Sequence, residues 1–183
     1  MLQPQNITEY YINNYVKTGD VVIDATCGNG NDTLKLCKKV GTQGKVYAFD
    51  IQKKALDETR KKLCENGMTN IRLILDCHSN IDEYVKEDVK AVIFNLGYLP
   101  GSDHSICTKA KTTINAIEKS LDLLSDEGFI CVTLYYGKNS GTAEKDAVME
   151  YFKNIDYKKY TVLIYDFYNR PNNPPLTAVI TKN

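Results

Sequence analysis

The sequence has no excess of either charge: its 183 residues carry 23 Lys and Arg against 23 Asp and Glu. A chain without net charge does not coat nucleic acid by bulk electrostatics, so any RNA contact has to use a local basic patch. No apolar run nears the roughly 18 residues that cross a bilayer. The opening Met-Leu-Gln-Pro-Gln-Asn also lacks the basic start and apolar stretch of a secretory signal. The expectation is a cytoplasmic protein with no membrane partner. Repeats, low-complexity tracts and linkers are missing too, and the length fits one domain over 1–183 without a separate substrate domain. Cysteines are present (Cys27, Cys37, Cys64, Cys77, Cys107 and Cys131), but no two form a C-x-x-C pair. That spacing excludes the usual zinc site, so no metal is expected, and the thiols read as reduced small apolar residues.

What is there is a regular alternation of short apolar runs and helical stretches. Strands are expected at Asp20–Ala25, Gly44–Asp50, Ile71–Leu75, Val89–Asn95 and Gly128–Tyr136. Helices are expected between them at about Asp32–Val40, Ile51–Glu65 and Thr108–Leu124, with another at Ala143–Asn154 and an amphipathic one before Asp20. The second of these should stop at Asn66-Gly67, a favoured helix terminus. Parallel strands need long crossovers, which the helices supply, so the class is α/β with a doubly wound, mostly parallel sheet covered on both faces. The end differs. Only Asn169-Arg-Pro-Asn-Asn-Pro-Pro175 separates the runs Tyr160–Tyr168 and Leu176–Thr181. That is too short for a crossover, so the last strand should return antiparallel. Such a seven-stranded sheet resembles the Rossmann-like class I methyltransferases.

In open α/β sheets ligands bind beyond the carboxyl ends of the strands. The loop after the first strand is Asp24-Ala-Thr-Cys-Gly-Asn-Gly-Asn-Asp32, where Gly28 and Gly30 let backbone approach a ligand. Asp50 closes the next strand, 20 positions after Gly30, and a carboxylate there can accept ribose hydroxyl protons. The dinucleotide fingerprint wants a third glycine where Thr33 stands. With that glycine missing, the loop is closer to methyltransferase motif I, in which Asp24 and the loop through Asp32 surround the methionine part of S-adenosylmethionine. NAD stays as the alternative cofactor.

The loop after the fourth strand reads Asn95-Leu-Gly-Tyr-Leu-Pro-Gly-Ser-Asp-His-Ser-Ile106. An Asn carbonyl oxygen can accept hydrogen bonds from an amine and Tyr98 can offer a stacking face. The plainer reading is an Asn capping its own turn. Pyrimidine carbon-5 methylation needs a nucleophilic Cys on a Pro-Cys loop, and Cys107 follows Ile106 while Cys131 lies inside a strand. An amine is the acceptor class that survives.

The combination of the glycine loop with Cys77-His-Ser-Asn-Ile-Asp82, N-L-G-Y-L-P-G from Asn95, Tyr135-Tyr136-Gly137 and Pro171-Asn-Asn-Pro-Pro175 resembles the MnmM (YtqB-type) family of tRNA methyltransferases over essentially the whole chain. The resemblance implies methylation of the 5-aminomethyl group of a 2-thiouridine at the tRNA wobble position. It also implies cofactor contacts by Asn29, Asn31, Asp50, Gln52, Cys77 and His78. An anticodon arm as partner follows, in a monomer or a homodimer. An rRNA base amine is the alternative substrate, and a non-catalytic RNA-binding module is a further reading.

A primary alkylamine with a pKa near 10 is protonated at neutral pH, and freeing its lone pair costs roughly 4 kcal/mol. Asp103 or Tyr136 is the candidate acceptor of that proton, with Asn95 and Tyr98 aiming the nitrogen. Lys109 and Lys111, next to this loop, are preferred as phosphate contacts over the run Lys53, Lys54, Arg60, Lys61 and Lys62, which reads as a solvated helix face.

Overall fold

Residues 3–97, 107–137 and 141–183 are described by a computed structural model. Their strands are β1 (Val21–Asp24), β2 (Lys45–Asp50), β3 (Ile71–Leu75), β4 (Val89–Leu96), β5 (Leu124–Leu134), β6 (Tyr160–Tyr165) and β7 (Leu176–Lys182). The helices are α1 (Pro4–Tyr15), α2 (Asn31–Val40), α3 (Lys53–Glu65), α4 (Ile81–Tyr84), α5 (Ala110–Leu123) and α6 (Thr142–Lys153).

The strands form one sheet in the order β3-β2-β1-β4-β5-β7-β6. β1 to β5 pair in parallel, and β7 runs antiparallel to both β5 and β6. The last strand is antiparallel, as the short link before it predicts, and the sheet is the doubly wound one that resembles the class I methyltransferases. The order reverses at β1, so the loops after β1 and β4 diverge and leave a crevice at their carboxyl ends.

Alternation along each central strand feeds two apolar layers, as period-2 geometry requires. Val22, Val46, Ile93, Phe129, Cys131 and Val179 face one way and pack on Tyr11, Ile12, Leu36, Cys37 and Leu63 of α1, α2 and α3. Ile23, Phe49, Val92, Phe94, Ile130 and Val132 face the other way, onto Ile81, Ile117, Leu121, Val148 and Phe152 of α4, α5 and α6. Both faces are therefore covered by helices, and β6 remains as a half-exposed edge.

Helix ends follow local chemistry. α3 stops where Gly67 takes φ 66°, with Gly67 N–H on Cys64 O at 3.0 Å and Met68 N–H on Leu63 O at 3.0 Å. That is a Schellman ending at the predicted Asn66-Gly67. Several boundaries differ from expectation, three of them among those that matter for the site and the edge. α5 starts at Ala110 rather than Thr108, β5 starts at Leu124 directly after α5, and β6 ends at Tyr165, short of Tyr168. The segment after β3, for which the sequence reading gives no element, winds into a 3-10 turn (His78–Asn80) continued by α4. Four residues of helix are too few to show a period in the sequence, and burial of Ile81 against the sheet is what holds them.

Gly44, in the turn between α2 and β2, has no room for a side chain. A Cβ there would lie 2.4 Å from Val40 Cβ and 2.7 Å from the Asp20 carbonyl oxygen. Gly44→Ala is predicted to cost about 2 kcal/mol through overpacking, which lowers the melting temperature by roughly 6 °C in a chain of this size. Calorimetry of the two proteins checks this, and an unchanged melting temperature would refute it.

Candidate active site

Three acids converge at the carboxyl ends of β1 and β2. Asp24, at the end of β1, is 1% exposed and accepts a hydrogen bond from Thr33 Oγ1 at 2.6 Å and one from Thr26 N–H at 3.3 Å. Burial, with the neighbouring charge of Asp32 adding to it, pushes its carboxyl up from 3.8 to about 7. Asp50, at the end of β2, accepts Gly28 N–H at 3.0 Å and Gln52 N–H at 2.9 Å, and burial raises its pKa as well. Asp32, in the first turn of α2, lies where a helix N-terminus favours an anion. Asp24 and Asp50 both accept backbone N–H groups of the loop after β1, from Thr26 and Gly28.

The loop itself is shaped from α3. Gly28 has φ 49° and Gly30 has φ 72°, where Gly30 begins α2. A Cβ on Gly30 would sit 2.7 Å from Thr59 Oγ1, while that hydroxyl donates to the Gly28 carbonyl at 2.9 Å. Gly30 is thus demanded by left-handed backbone and by close contact with α3. Asn29 and Asn31 are exposed. Asn31 Oδ1 receives the Lys62 ammonium, and Asn29 borders a depression of about 200 Å³ lined also by Glu58, Lys61, Lys62 and Glu65. Gln52 is the residue preceding α3, half-buried beside Asp50.

On the other flank, Cys77 and His78 follow β3. Cys77 Sγ accepts from Ser79 Oγ at 3.1 Å. His78 is 7% exposed, packed edge-on to Phe94 with ring centroids 5.8 Å apart. Burial pushes its pKa down to about 4, against a hydrogen bond to the Ala25 backbone, so the ring is neutral. Its Nε2 has no hydrogen-bond partner among the described residues. Burial also pushes up the thiols of Cys27 and Cys131, which keeps both protonated and leaves neither as a nucleophile.

Asn95, near the end of β4, joins this group. Its Nδ2 donates to Asp32 Oδ2 at 3.0 Å and its backbone N–H donates to Thr26 Oγ1 at 2.7 Å. With the amide nitrogen directed at Asp32, the carbonyl oxygen is the group that Asn95 can offer to an N–H donor. Asp32 also faces the Lys35 ammonium at 3.5 Å. Tyr136 follows β5, packed partly on the apolar layer with the Lys145 ammonium 4.9 Å from its ring centroid. Tyr135 Oη accepts from Gln5 Nε2 at 3.1 Å, which brings α1 to the same edge. Tyr98 and Asp103, expected in the acceptor loop, lie outside the described residues.

Thr26, Thr33 and Thr59 are functional supports that sequence reasoning passes over. Thr26 joins the glycine loop to β4, Thr33 joins α2 to the end of β1 and Thr59 joins α3 to the glycine loop, and only Thr33, in the position of a missing glycine, carries a sequence signal. Of the α3 cations, Lys53 and Arg60 both pair with Asp57, at 2.7 and 3.3 Å. Lys109 and Lys111 are exposed at the start of α5. No group of His, Cys, Asp and Glu among the described residues has metal-site geometry, and none of the described helices is long and apolar enough to cross a membrane.

A family model described as “Putative rRNA methylase” matches residues 46–181. A tRNA (mnm(5)s(2)U34)-methyltransferase of Arabidopsis chloroplasts is 38% identical over 178 residues, covering 91% of this chain. The chain spans 65% of that relative's length. A structure from Clostridium thermocellum, described in the same terms as the family, superposes with a TM-score of 0.98 at 47% identity, covering 100% of this chain and 99% of that one. A Streptococcus mutans protein solved in complex with SAH gives 0.92 at 40% identity, with 100% and 99% coverage.

Two titrations in this site oppose each other. Between about pH 3.8 and 7 the unfolded Asp24 is ionised while the native one holds its proton, so stability falls as pH rises. Between about pH 4 and 6.5 the unfolded His78 is protonated while the native ring is not, so stability falls as pH drops. Each slope approaches about 1.4 kcal/mol per pH unit inside its window. Asp24→Asn removes the first and leaves the second. Its melting temperature, measured without cofactor, is expected to drop more steeply than that of the unmodified protein from pH 6.5 to 4. Equal slopes would refute the assignment.

Proposed function

The chain belongs to the family described as “Putative rRNA methylase”, and on that premise we propose that it transfers a methyl group from S-adenosylmethionine to the primary amine of a 5-aminomethyluridine, thiolated or not at position 2, at the tRNA wobble position. The product is the 5-methylaminomethyl nucleoside. The methylaminomethyl nucleoside in the Arabidopsis relative's name, which is the product of such a transfer, and the SAH bound to the S. mutans relative support this reading.

The observation that carries it is the gathering of acids at this loop: Asp32 and Asp50 bring carboxylates to it, and Asp24 lies buried at its base. S-adenosylmethionine supplies an electrophilic methyl on a cationic sulfonium, which a field of carboxylates attracts. The pyrophosphate of NAD is dianionic, and the same carboxylates would repel it. The donor set therefore fits the sulfonium cofactor and disfavours the dinucleotide. Asp50 is the group to hold the ribose hydroxyls, with two backbone N–H bonds fixing its orientation. Gly28, Gly30, Asn29, Asn31, Asp24 and Asp32 frame the amino-acid end, and Gln52, Cys77 and His78 the adenosine end.

The same charge suits an acceptor that arrives as an ammonium ion. Asn95 is tied to Asp32 through its amide nitrogen and presents its carbonyl oxygen to the incoming amine N–H. Removing the ammonium proton costs roughly 4 kcal/mol at neutral pH, and Asp103 or Tyr136 accepts it, directly or through water, while Tyr98 supplies the stacking face. Lys109 and Lys111 meet phosphates of the anticodon arm.

Nucleoside mass spectrometry of tRNA from cells lacking the gene tests the substrate. Accumulation of the aminomethyl nucleoside is expected. An unchanged tRNA profile with a methyl group missing from rRNA would instead favour the substrate in the family's description. With purified protein, Asn95→Ala is expected to lower kcat by about 100-fold, as loss of a fixed hydrogen-bonding group in a reaction centre does. Asp50→Ala should weaken SAH binding by about 10- to 100-fold, the worth of charge-assisted hydrogen bonds. Calorimetric titration reads the second effect, and unaltered affinity would remove Asp50 from the cofactor site.

A further inference from the structure

We propose that Glu144 is a positioning residue: its buried carboxylate locks together the ends of β4 and β5, which carry Asn95 and Tyr136. This deepens the reading above and rests on it for the identity of the acceptor. Glu144 is the third residue of α6 and only 8% exposed. Its Oε2 accepts Thr108 Oγ1 at 2.6 Å and its Oε1 accepts Thr113 Oγ1 at 2.7 Å. Thr108 in turn closes on the end of β4. Its hydroxyl accepts Gly97 N–H at 2.9 Å, and its own N–H donates to the Gly97 carbonyl at 3.0 Å.

The same turn of α6 grips the end of β5. Thr142 Oγ1 donates to the Gly137 carbonyl at 3.1 Å, and Lys145 lies over the Tyr136 ring. Gly141, with φ 81°, packs so closely that a Cβ would lie 2.4 Å from the Tyr135 carbonyl oxygen. Leu96 O accepts Tyr135 N–H at 3.2 Å, which ties the two strand ends directly. One helical turn therefore holds both shoulders of the acceptor region.

A purely structural role would be met at lower cost by an apolar side chain, since Glu144 has no ion pair among the described residues and a buried carboxylate loses much of its hydration energy. What the carboxylate adds is direction. Two oxygens in a fixed plane orient two hydroxyls, and the Thr108 hydroxyl, with its proton committed to Glu144, offers its lone pair to Gly97 N–H. The geometry of β4 beyond Asn95 is thereby set by Glu144 before any substrate arrives.

Thr108→Val removes the relay, Glu144→Gln leaves one hydroxyl without its acceptor, and Thr108→Ser keeps the hydroxyl. Two readouts decide. In methyl transfer to aminomethyl tRNA, Thr108→Val and Glu144→Gln are expected to lose at least about tenfold in kcat/KM for the RNA, with SAH affinity within about twofold of the unmodified protein. Thr108→Ser should restore most of the turnover. In hydrogen exchange, the amides of Gly97 and Tyr135 should exchange faster in the first two variants and not in the third. Turnover or exchange matching the unmodified protein in both variants overturns the proposal. So does a loss of SAH affinity equal to the loss of turnover, which would mark a general support of the fold. If the unmodified protein fails on aminomethyl tRNA, the functional reading fails alone, because exchange at Gly97 and Tyr135 still decides on the clamp.

Discussion

The carboxylate of Asp24 is the point from which the site is built. It sits at the end of the central strand with almost no contact with solvent, and its hydrogen bond from Thr33 pins the start of α2 to the end of β1. That bond fixes where Asp32 falls, and Asp32 fixes the amide of Asn95. Thr26, one turn away on the same loop, meets the backbone of Asn95. Cofactor loop and β4 are thus held in one frame by three side-chain hydrogen bonds, all reached from the point where the strand order reverses. The cost is electrostatic. Asp24 carries its proton up to about neutral pH because burial and Asp32 both oppose its ionisation.

Sequence reasoning reached the parts of this frame whose signal is local. Gly28 and Gly30 between a strand and a helix, Asp50 at a strand end, Asn66-Gly67 at a helix end and the short link before Leu176 each constrain backbone within a few residues. They predict the doubly wound class, the antiparallel last strand and the loops that border the crevice. The threonines and Glu144 carry no such signal. Thr59 acts on a loop 31 positions away and Glu144 on one 36 positions away, and a hydroxyl or carboxylate in an amphipathic helix looks like a surface residue until its neighbour is known. α4 was missed for a different reason: its burial comes from one isoleucine against the sheet, which leaves no pattern to read.

Acid placement also separates two cofactor classes that share a fold. A glycine loop opening a helix is common to both, because a helix N-terminus and open backbone suit any polar ligand. The discriminating feature is what surrounds the loop. A dinucleotide needs the helix N-terminus clear for its pyrophosphate, whereas here Asp32 occupies the first turn and Asp24 lies beneath it. The missing third glycine, where Thr33 stands, belongs to the same arrangement: its hydroxyl is the partner that Asp24 requires.

The neutral balance of the chain gains a spatial meaning from α3. Three of its cations have partners within the fold, Lys53 and Arg60 on Asp57 and Lys62 on Asn31, and Asp57, Glu58 and Glu65 on the same helix offset part of the charge of this basic run. Lys109 and Lys111 differ because they stand where α5 begins, next to Thr108 and hence next to the clamp on β4. For a protein without net charge, attraction of RNA is governed by where unpaired cations sit and not by how many there are. In the proposed function, cations beside the acceptor shoulder would couple phosphate binding to the strand end that carries Asn95.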